Sequence, residues 1–317
     1  MPQDRSTEFN ATHLLDQPEK LLAQADQDGF LFFKNIVPKN DLLTLRKQVL
    51  DLLNEVDLLS DQHPIMEGIA DFDKVAALEK PTGTCGNNYI YSSVQKMELF
   101  HKIAHHKNIT SVFEKLFNDE VLVHPRNIMR IVMPAKGVYP TDPHQDFVYI
   151  NGTLNTWTSW IPLGDCPMET GNLAIMRGSH KAGMLPVIKG DGAGGLNAIL
   201  DDVDSEWIHF NYEIGDLVMF TSQTVHKSIP TQNPERIRLS LDYRFQAASE
   251  PVHPSSLHPH MGVMPWEKIY SDWSDDDLKY YWEKKDLTIS NKLFLEDHPE
   301  LKKYEDKNFP YSKPAAS

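Results

Sequence analysis

The stretch Arg236-Ile237-Arg238-Leu239-Ser240-Leu241-Asp242-Tyr243-Arg244-Phe245 alternates strictly between polar and apolar side chains. A period of two puts Arg236, Arg238, Ser240, Asp242 and Arg244 on one face of a strand and Ile237, Leu239, Leu241, Tyr243 and Phe245 on the other. Two readings of such a strand stand open. One is a sheet with a wet face; the other is a barrel wall whose polar side lines an interior holding anionic ligands. Outward from it, residues 120–246 form a run of short apolar segments broken by turns. Strand candidates are 121–124, 127–133, 146–151, 156–163, 172–176, 207–211, 216–221 and 236–246. Strands of this length and spacing suggest a sandwich, a barrel or a jelly roll.

Before this run, residues 29–37 read as a first strand ended by Pro38. An amphipathic helix follows, with Asn40 as its cap and Leu42, Leu45, Val49, Leu52 and Leu53 at helical spacing. Residues 55–90 are mixed and read as a loop or lid, and 96–117 as a second helix. Beyond the strands, 247–317 carries Pro, His and many charges, with a helical stretch at 275–285. No internal repeat interrupts this order. The expectation is one domain, a mostly β core over about 119–246 with flanking helices: N-terminal helical support over about 1–118 and a C-terminal extension over 247–317.

The 317 residues are enough to bury a large core, and 40% apolar with 24% charged residues is ordinary for a globular chain. A formal net charge of −14 argues against nucleic acid as a partner. No apolar run approaches the length of a membrane span. The opening MPQDRSTEFN lacks the apolar segment of a secretory signal. Two cysteines in unrelated contexts, Cys85 and Cys166, support neither a disulfide framework nor a thiolate metal site. A reducing cytoplasm is the expected compartment.

Chemistry enters with Pro143-His144-Gln145-Asp146. In an extended segment, His144 and Asp146 project to one face. His226 lies 80 residues after Asp146, behind the turn and strand Gly215-Asp216-Leu217-Val218-Met219-Phe220. Arg236 and Arg238 follow it by 10 and 12 residues, on the polar face described above. Each part has a bland explanation, and the ordered conjunction is what carries weight. Two imidazoles and one carboxylate match the donor set of non-haem Fe(II) oxygenases. Three coordination positions remain, two for a bidentate 2-oxo acid and one for O2. A nearby Arg suits the far carboxylate of a dicarboxylic cosubstrate.

At this point the sequence resembles the phytanoyl-CoA dioxygenase family of the 2-oxoglutarate/Fe(II) oxygenase superfamily, over roughly 27–246. The resemblance rests on Asp28-Gly29-Phe30, Pro143-His144-Gln145-Asp146 and Thr158-Ser159-Trp160-Ile161-Pro162-Leu163. It continues through Glu169-Thr170-Gly171-Asn172-Leu173, Arg177-Gly178-Ser179-His180-Lys181, Gly215-Asp216 before His226, and the Arg238 strand. It implies a double-stranded β-helix (jelly roll, cupin-like) core, and iron held by His144, Asp146 and His226. It implies 2-oxoglutarate anchored by Arg238, with Arg236 as the competitor, and touched by Ser228 and Trp160. Arg244-Phe245 resembles a second family Arg and its aromatic. His180 and Asp216 are read as turn residues, and His209, His253, His258 and His260 have no partner at useful spacing. The long segment 183–212, with its glycine cluster 190–195, departs from the family and is a candidate lid; it lacks the Lys-Ser/Thr ending of a phosphate loop.

The reaction so implied is hydroxylation of an unactivated C–H in a small molecule, with release of succinate and CO2. Asp146 stands where related halogenases carry a small residue, which points away from halogenation. Desaturation or ring formation is the nearest alternative. A cupin-like metal isomerase or hydrolase and a non-catalytic binding protein are the others. Arg130, Asn127, Tyr149 and Arg177 are candidates to face the substrate, whose identity no residue pattern names.

Overall fold

The computed structural model describes residues 2–78, 88–134, 140–233 and 235–303. The first part of the chain is helical: α1 (Pro18–Asp28) and α2 (Lys39–Glu55) flank strand β1 (Phe30–Phe33), and α3 (Phe72–Ala76), α4 (Asn88–Gln95), α5 (Glu98–Lys102) and α6 (Lys107–Phe117) follow. Then come β2 (Val121–Val123), β3 (Ile128–Val132), a single helical turn α7 (Phe147–Ile150), β4 (Trp157–Pro162), β5 (Leu173–Met176), β6 (Val187–Lys189), β7 (Leu196–Ala198), β8 (Trp207–His209), β9 (Leu217–Thr221), β10 (His226–Ser228) and β11 (Arg238–Ala247).

Six strands make one sheet in the order β1-β9-β4-β11-β2, with β3 also paired to β11. A smaller sheet has the order β10-β5-β8, and β6 and β7 form a separate hairpin. The two faces of the large sheet bury different sets, as a period of two requires. From β1, Leu31 and Phe33 join Leu217, Met219, Leu239, Leu241, Tyr243 and Phe245 in a core shared with Leu42, Leu45 and Val49 of α2 and Ile109, Val112 and Phe113 of α6. Phe30 and Phe32 point the other way, with Val218, Phe220 and Trp160, to meet Leu173, Ile175, Ile208 and Phe210 of the small sheet. Phe32 stacks on Phe210 with ring centroids 4.4 Å apart. Each such side chain, fully buried, contributes about 1.5–3 kcal/mol of transfer free energy. The helices thus cover one side of the large sheet and the small sheet covers the other.

The polar face of β11 also lies inside this second layer. Arg238, Ser240, Asp242 and Arg244 are all buried, so the strand has no wet face. Register brings Thr158 opposite Arg244 and Trp160 opposite Asp242 on β4. On β3, Arg130 is opposite Ser240 and Val132 opposite Arg238. Partners in register share a face, so β3, β4 and β11 send one continuous set of polar side chains between the sheets.

The helix α1, absent from the sequence reading, ends at Gly29 (φ +77). A Cβ there would lie 2.3 Å from His180 Nδ1 and 2.8 Å from Thr224 Oγ1. Only glycine suits both the left-handed turn and that approach. The cap of α2 is Pro38 and not Asn40, which is the second residue of the helix. The expected helix 96–117 is broken into α5, a 3-10 turn at Ile103–His105, and α6, because His106 leaves the helical region (φ −62, ψ 132) and caps α6 by accepting from Asn108 N–H. The expected strand 146–151 is helical, and 275–285 holds only two 3-10 turns, Asp276–Leu278 and Tyr281–Lys284. Within 55–90 the described part holds α3 and the first residues of α4; residues 79–87, including Cys85, lie outside the described residues. The segment 183–212 contributes β6, β7 and β8, where only the last was expected. Among the described residues no helix is long and apolar enough to cross a membrane.

Candidate metal centre

His226 opens β10, and His144 pairs with it in an isolated antiparallel bridge. His144 N–H donates to His226 O (3.0 Å) and His226 N–H to His144 O (3.1 Å). This places the two imidazole centroids 4.2 Å apart. Two residues later the chain turns: Asp146 has φ −68 and ψ −27 and starts α7, while Phe147 N–H donates to Ser222 O at 3.0 Å. That turn, and not the period of an extended strand, brings the carboxylate to the imidazoles.

His144 Nδ1 lies 2.7 Å from Asp142 O, and His226 Nδ1 lies 3.0 Å from Thr224 O. A carbonyl only accepts, so each Nδ1 carries the proton and each Nε2 keeps its lone pair. Both Nε2 atoms are 3.8 Å from Asp146 Oδ1. Oδ2 of the same carboxylate is held from behind, accepting from Thr158 Oγ1 at 2.5 Å and from Arg244 Nη2 at 3.4 Å. Burial pushes the His144 imidazolium pKa down to about 3, helped by the facing His226, and burial lowers His226 as well. For Asp146 burial acts to raise the pKa, but Arg244 and both imidazoles outweigh it and hold the carboxyl below its usual range. Two neutral imidazoles and one ionised carboxylate are the protonation states a divalent metal needs. The three ligand atoms lie within 4.8 Å of one another, all buried. The partners behind each one fix its orientation. This N,N,O set on one face fits the facial arrangement of non-haem Fe(II).

Two cavities meet at the triad. The larger, of about 200 Å3, is lined by His144, Asp146 and His226 together with Arg238, Trp160 and Ser228. Arg238 is 8% exposed. Its Nη1 donates to Ser240 Oγ at 2.8 Å, its guanidinium lies 6.0 Å from the Trp160 ring centroid, and its Nε–H has no acceptor among the described residues. Arg236 falls before β11, bridges Ile69 and lines neither described cavity. The smaller cavity, of about 130 Å3, also touches His144 and Asp146, and is lined by His124, Arg126, Arg130, Tyr149, Arg244, His260 and Met261 among others.

Of the residues expected to face a substrate, Arg130 and Tyr149 do reach a cavity. Arg177 instead pairs with Asp28 (2.7 Å) and Glu206 (3.3 Å) at the end of α1. Asn127 is buried against His101 Nδ1 at 3.1 Å. His180 is structural, its Nε2 3.0 Å from Asp26 O, and Asp216 accepts from Asn35 and Glu213 N–H groups in a turn. His124 and Arg126 were not singled out in the sequence, Thr158 entered only as part of a family motif, and His260, expected to have no partner at useful spacing, instead lines the smaller cavity. Thr158 was within reach, since it shares a strand face with Trp160. His260 and Arg126 carry no local signal.

The sequence profile described as phytanoyl-CoA dioxygenase matches residues 25–239. The 1-deoxypentalenic acid 11-beta-hydroxylase of Streptomyces exfoliatus is 26% identical over 287 residues, covering 86% of this chain and 95% of that protein. Among solved structures, the epimerase SnoN in complex with ferric iron, α-ketoglutarate and nogalamycin RO superposes with a TM-score of 0.52 at 16% identity, over 75% of this chain and 86% of SnoN. The non-haem α-ketoglutarate-dependent carbocyclase SnoK from nogalamycin biosynthesis does so with a TM-score of 0.51 at 17% identity, over 74% and 86%. Two sheets enclosing a His-Asp-His centre and a family match spanning both halves of that centre lead to one statement: this chain is an oxidoreductase and belongs to the phytanoyl-CoA dioxygenase family.

Proposed function

We propose that the protein is a 2-oxoglutarate- and Fe(II)-dependent oxygenase that hydroxylates an unactivated C–H of a small molecule, within one double-stranded β-helix domain. The observation that carries this reading is the convergence of two Nε2 lone pairs and Asp146 Oδ1 in a buried cavity whose wall also holds an Arg238 Nε–H with no acceptor among the described residues. Iron(II) with 2-oxoglutarate, once bound, supplies O2-dependent oxidation coupled to release of succinate and CO2. His144, Asp146 and His226 hold the metal. Arg238 receives the distal carboxylate of 2-oxoglutarate, and its buried Nε–H, without an acceptor among the described residues, suits that anion. Trp160 closes the cavity beside that guanidinium, and Ser228, two residues from His226 on the same face of β10, adds a hydroxyl to the wall. Arg244 and Thr158 hold Asp146 ionised and oriented. The flanking sheets exclude water, which protects a reactive oxidant from side reactions.

The retained carboxylate of Asp146 supports hydroxylation over halogenation. The name of the Streptomyces relative, a hydroxylase of an acid, supports the same reaction class. The test is O2-dependent formation of succinate from 2-oxoglutarate by the Fe(II)-loaded protein, with anaerobic titration of both to reveal their charge-transfer absorption. Absence of that absorption in intact protein, or its persistence in His144→Ala, refutes the assignment.

A further inference from the structure

We propose that the smaller cavity recognises a hydroxyl group through His124 and His260, so that the substrate is a compact alcohol; the inference deepens the proposed function and rests on it. The two imidazoles come from distant parts of the chain, His124 directly after β2 and His260 in a 3-10 turn of the C-terminal extension. Both are buried, and both line the cavity that also touches His144 and Asp146. Each commits one ring nitrogen to the protein. His124 Nε2 lies 2.8 Å from Gln246 Oε1. The amide nitrogen of Gln246 donates to the carbonyl oxygens of Ala247, Glu250 and Pro251. Oε1 is therefore the acceptor, and His124 Nε2 carries the ring proton. That leaves His124 Nδ1 as a lone pair with no hydrogen-bond partner among the described residues. His260 Nδ1 is bonded to Tyr91 Oη. A phenol is a stronger acid than a neutral imidazole, and an imidazole nitrogen a stronger base than a phenol oxygen, so Tyr91 donates and His260 Nε2 carries the proton. This N–H also has no partner among the described residues. One acceptor and one donor thus stand in the same wall, and a hydroxyl is the group that gives one hydrogen bond and takes another.

Charge supports a neutral group. Burial brings His124 down to about 4 and, with the nearby arginines, holds His260 well below its ordinary pKa. Both rings are neutral near pH 7 and recognise by hydrogen bonding alone. Two guanidiniums of the same wall are already ion-paired, Arg130 with Asp242 at 2.8 Å and Arg244 with Asp146 at 3.4 Å. A buried donor or acceptor left unmade is costly, so a ligand that completes both imidazoles gains over one that completes neither. The rest of the wall limits what the hydroxyl is attached to. Ile128, Ile150 and Met261 make it apolar away from the polar groups. The hairpin turn between β6 and β7 forms a roof through Ala193 and Gly194. A Cβ on Gly194 would lie 2.8 Å from Tyr149 Oη, so the roof rests directly on the tyrosine. At about 130 Å3 the space is well below that of drug-sized ligand sites. Such a cavity suits a short hydrocarbon body that carries one hydroxyl.

The test uses protein loaded anaerobically with Fe(II) and saturating 2-oxoglutarate, which occupies the Arg238 side. Cyclohexanol, cyclohexanone and cyclohexanecarboxylate are titrated calorimetrically: a donor and acceptor, an acceptor only, and an anion. Cyclohexanol is expected to bind about tenfold tighter than the ketone, which leaves His124 Nδ1 unpaired. His124→Phe should weaken the alcohol and leave the ketone unchanged, because only the alcohol donates. His260→Phe should weaken both, because both accept, and His260→Gln should restore part of the loss. No detectable cyclohexanol binding, equal binding of alcohol and ketone, tighter binding of the carboxylate, or an alcohol that binds only when 2-oxoglutarate is omitted would each overturn the inference. So would a folded His260→Phe that holds the ketone as wild type does. The comparison of probes on the unaltered protein is decisive even where a variant fails to fold. The iron–2-oxoglutarate absorption reads the proposed function separately, and the probe comparison is decisive for the cavity whichever way that absorption falls.

Discussion

Replacing Arg238 by Met separates the cost of a buried charge from its use. The guanidinium is buried, donates to Ser240 Oγ at 2.8 Å, and leaves Nε–H without an acceptor among the described residues. Burial lowers its pKa, which means the charged form is penalised. Removing it should leave ligand-free stability unchanged or raise it by about 1 kcal/mol, since a buried charge without a full partner is replaced by apolar volume. For 2-oxoglutarate the sign is opposite. Losing one side of a buried charge-assisted pair costs about 2–5 kcal/mol. At about 1.4 kcal/mol per tenfold, the expected loss centres on roughly 100- to 1,000-fold in Kd. Arg238→Lys keeps the charge and loses the planar fork, so about tenfold is expected. Arg236→Met, outside the cavity, should stay within about twofold. The assay is anaerobic titration of 2-oxoglutarate into Fe(II)-loaded protein, with thermal unfolding run on metal-free samples. An Arg238→Met variant that binds 2-oxoglutarate like wild type, with the loss appearing in Arg236→Met, would show that the anchor has been misassigned.

Three further outcomes are expected. Thr158→Val removes the 2.5 Å hydrogen bond to Asp146 Oδ2 and should weaken Fe(II) binding about 10- to 100-fold; unchanged affinity by anaerobic metal competition would make that hydroxyl dispensable. Gly29→Ala combines a left-handed φ with a Cβ 2.3 Å from His180 Nδ1 and should destabilise by more than about 1 kcal/mol. His180→Ala in the same chain should recover the steric part only, and strict additivity in a denaturation cycle would deny the clash. Burial, the first cause in each case, holds His101 down to about 3 and His105 and His124 to about 4. Below about pH 6.5 the unfolded chain takes up protons that these folded imidazoles refuse, so stability falls with falling pH. The three together should remove about 4 kcal/mol between pH 7.5 and 5.5; urea midpoints that stay flat across this window in the metal-free protein would contradict it.

Residues 236–245 show why some of this was legible. Strand faces are set by a local period, so Arg238, Ser240, Asp242 and Arg244 were grouped correctly before any partner was known. What lay across from them was not local. Whether that face met water or a sealed interior depended on the small sheet, whose strands come from residues 173–228. The same limit explains the error at 146–151. Its apolar residues suit a strand, but Phe147 N–H is claimed by Ser222 and the His144 backbone by His226, and these long-range bonds turn the chain. The 3-10 turns at 276–278 and 281–284 arise similarly, where Trp266, Tyr270, Trp273 and Trp282 pack into one cluster against Leu122.

Sequence alone determined the candidate donor set and its order: His144, Asp146, His226, then an arginine strand, because ligand chemistry resides in residue type and strand facing in a two-residue period. Tertiary structure decided where those atoms meet. It set the Nδ1 protons on carbonyls, turned Asp146 inward, left Arg236 outside the cavity, and carried Arg126 and His260 to a second cavity against the same centre. Those placements depend on contacts between residues far apart in the chain, and no local period encodes them.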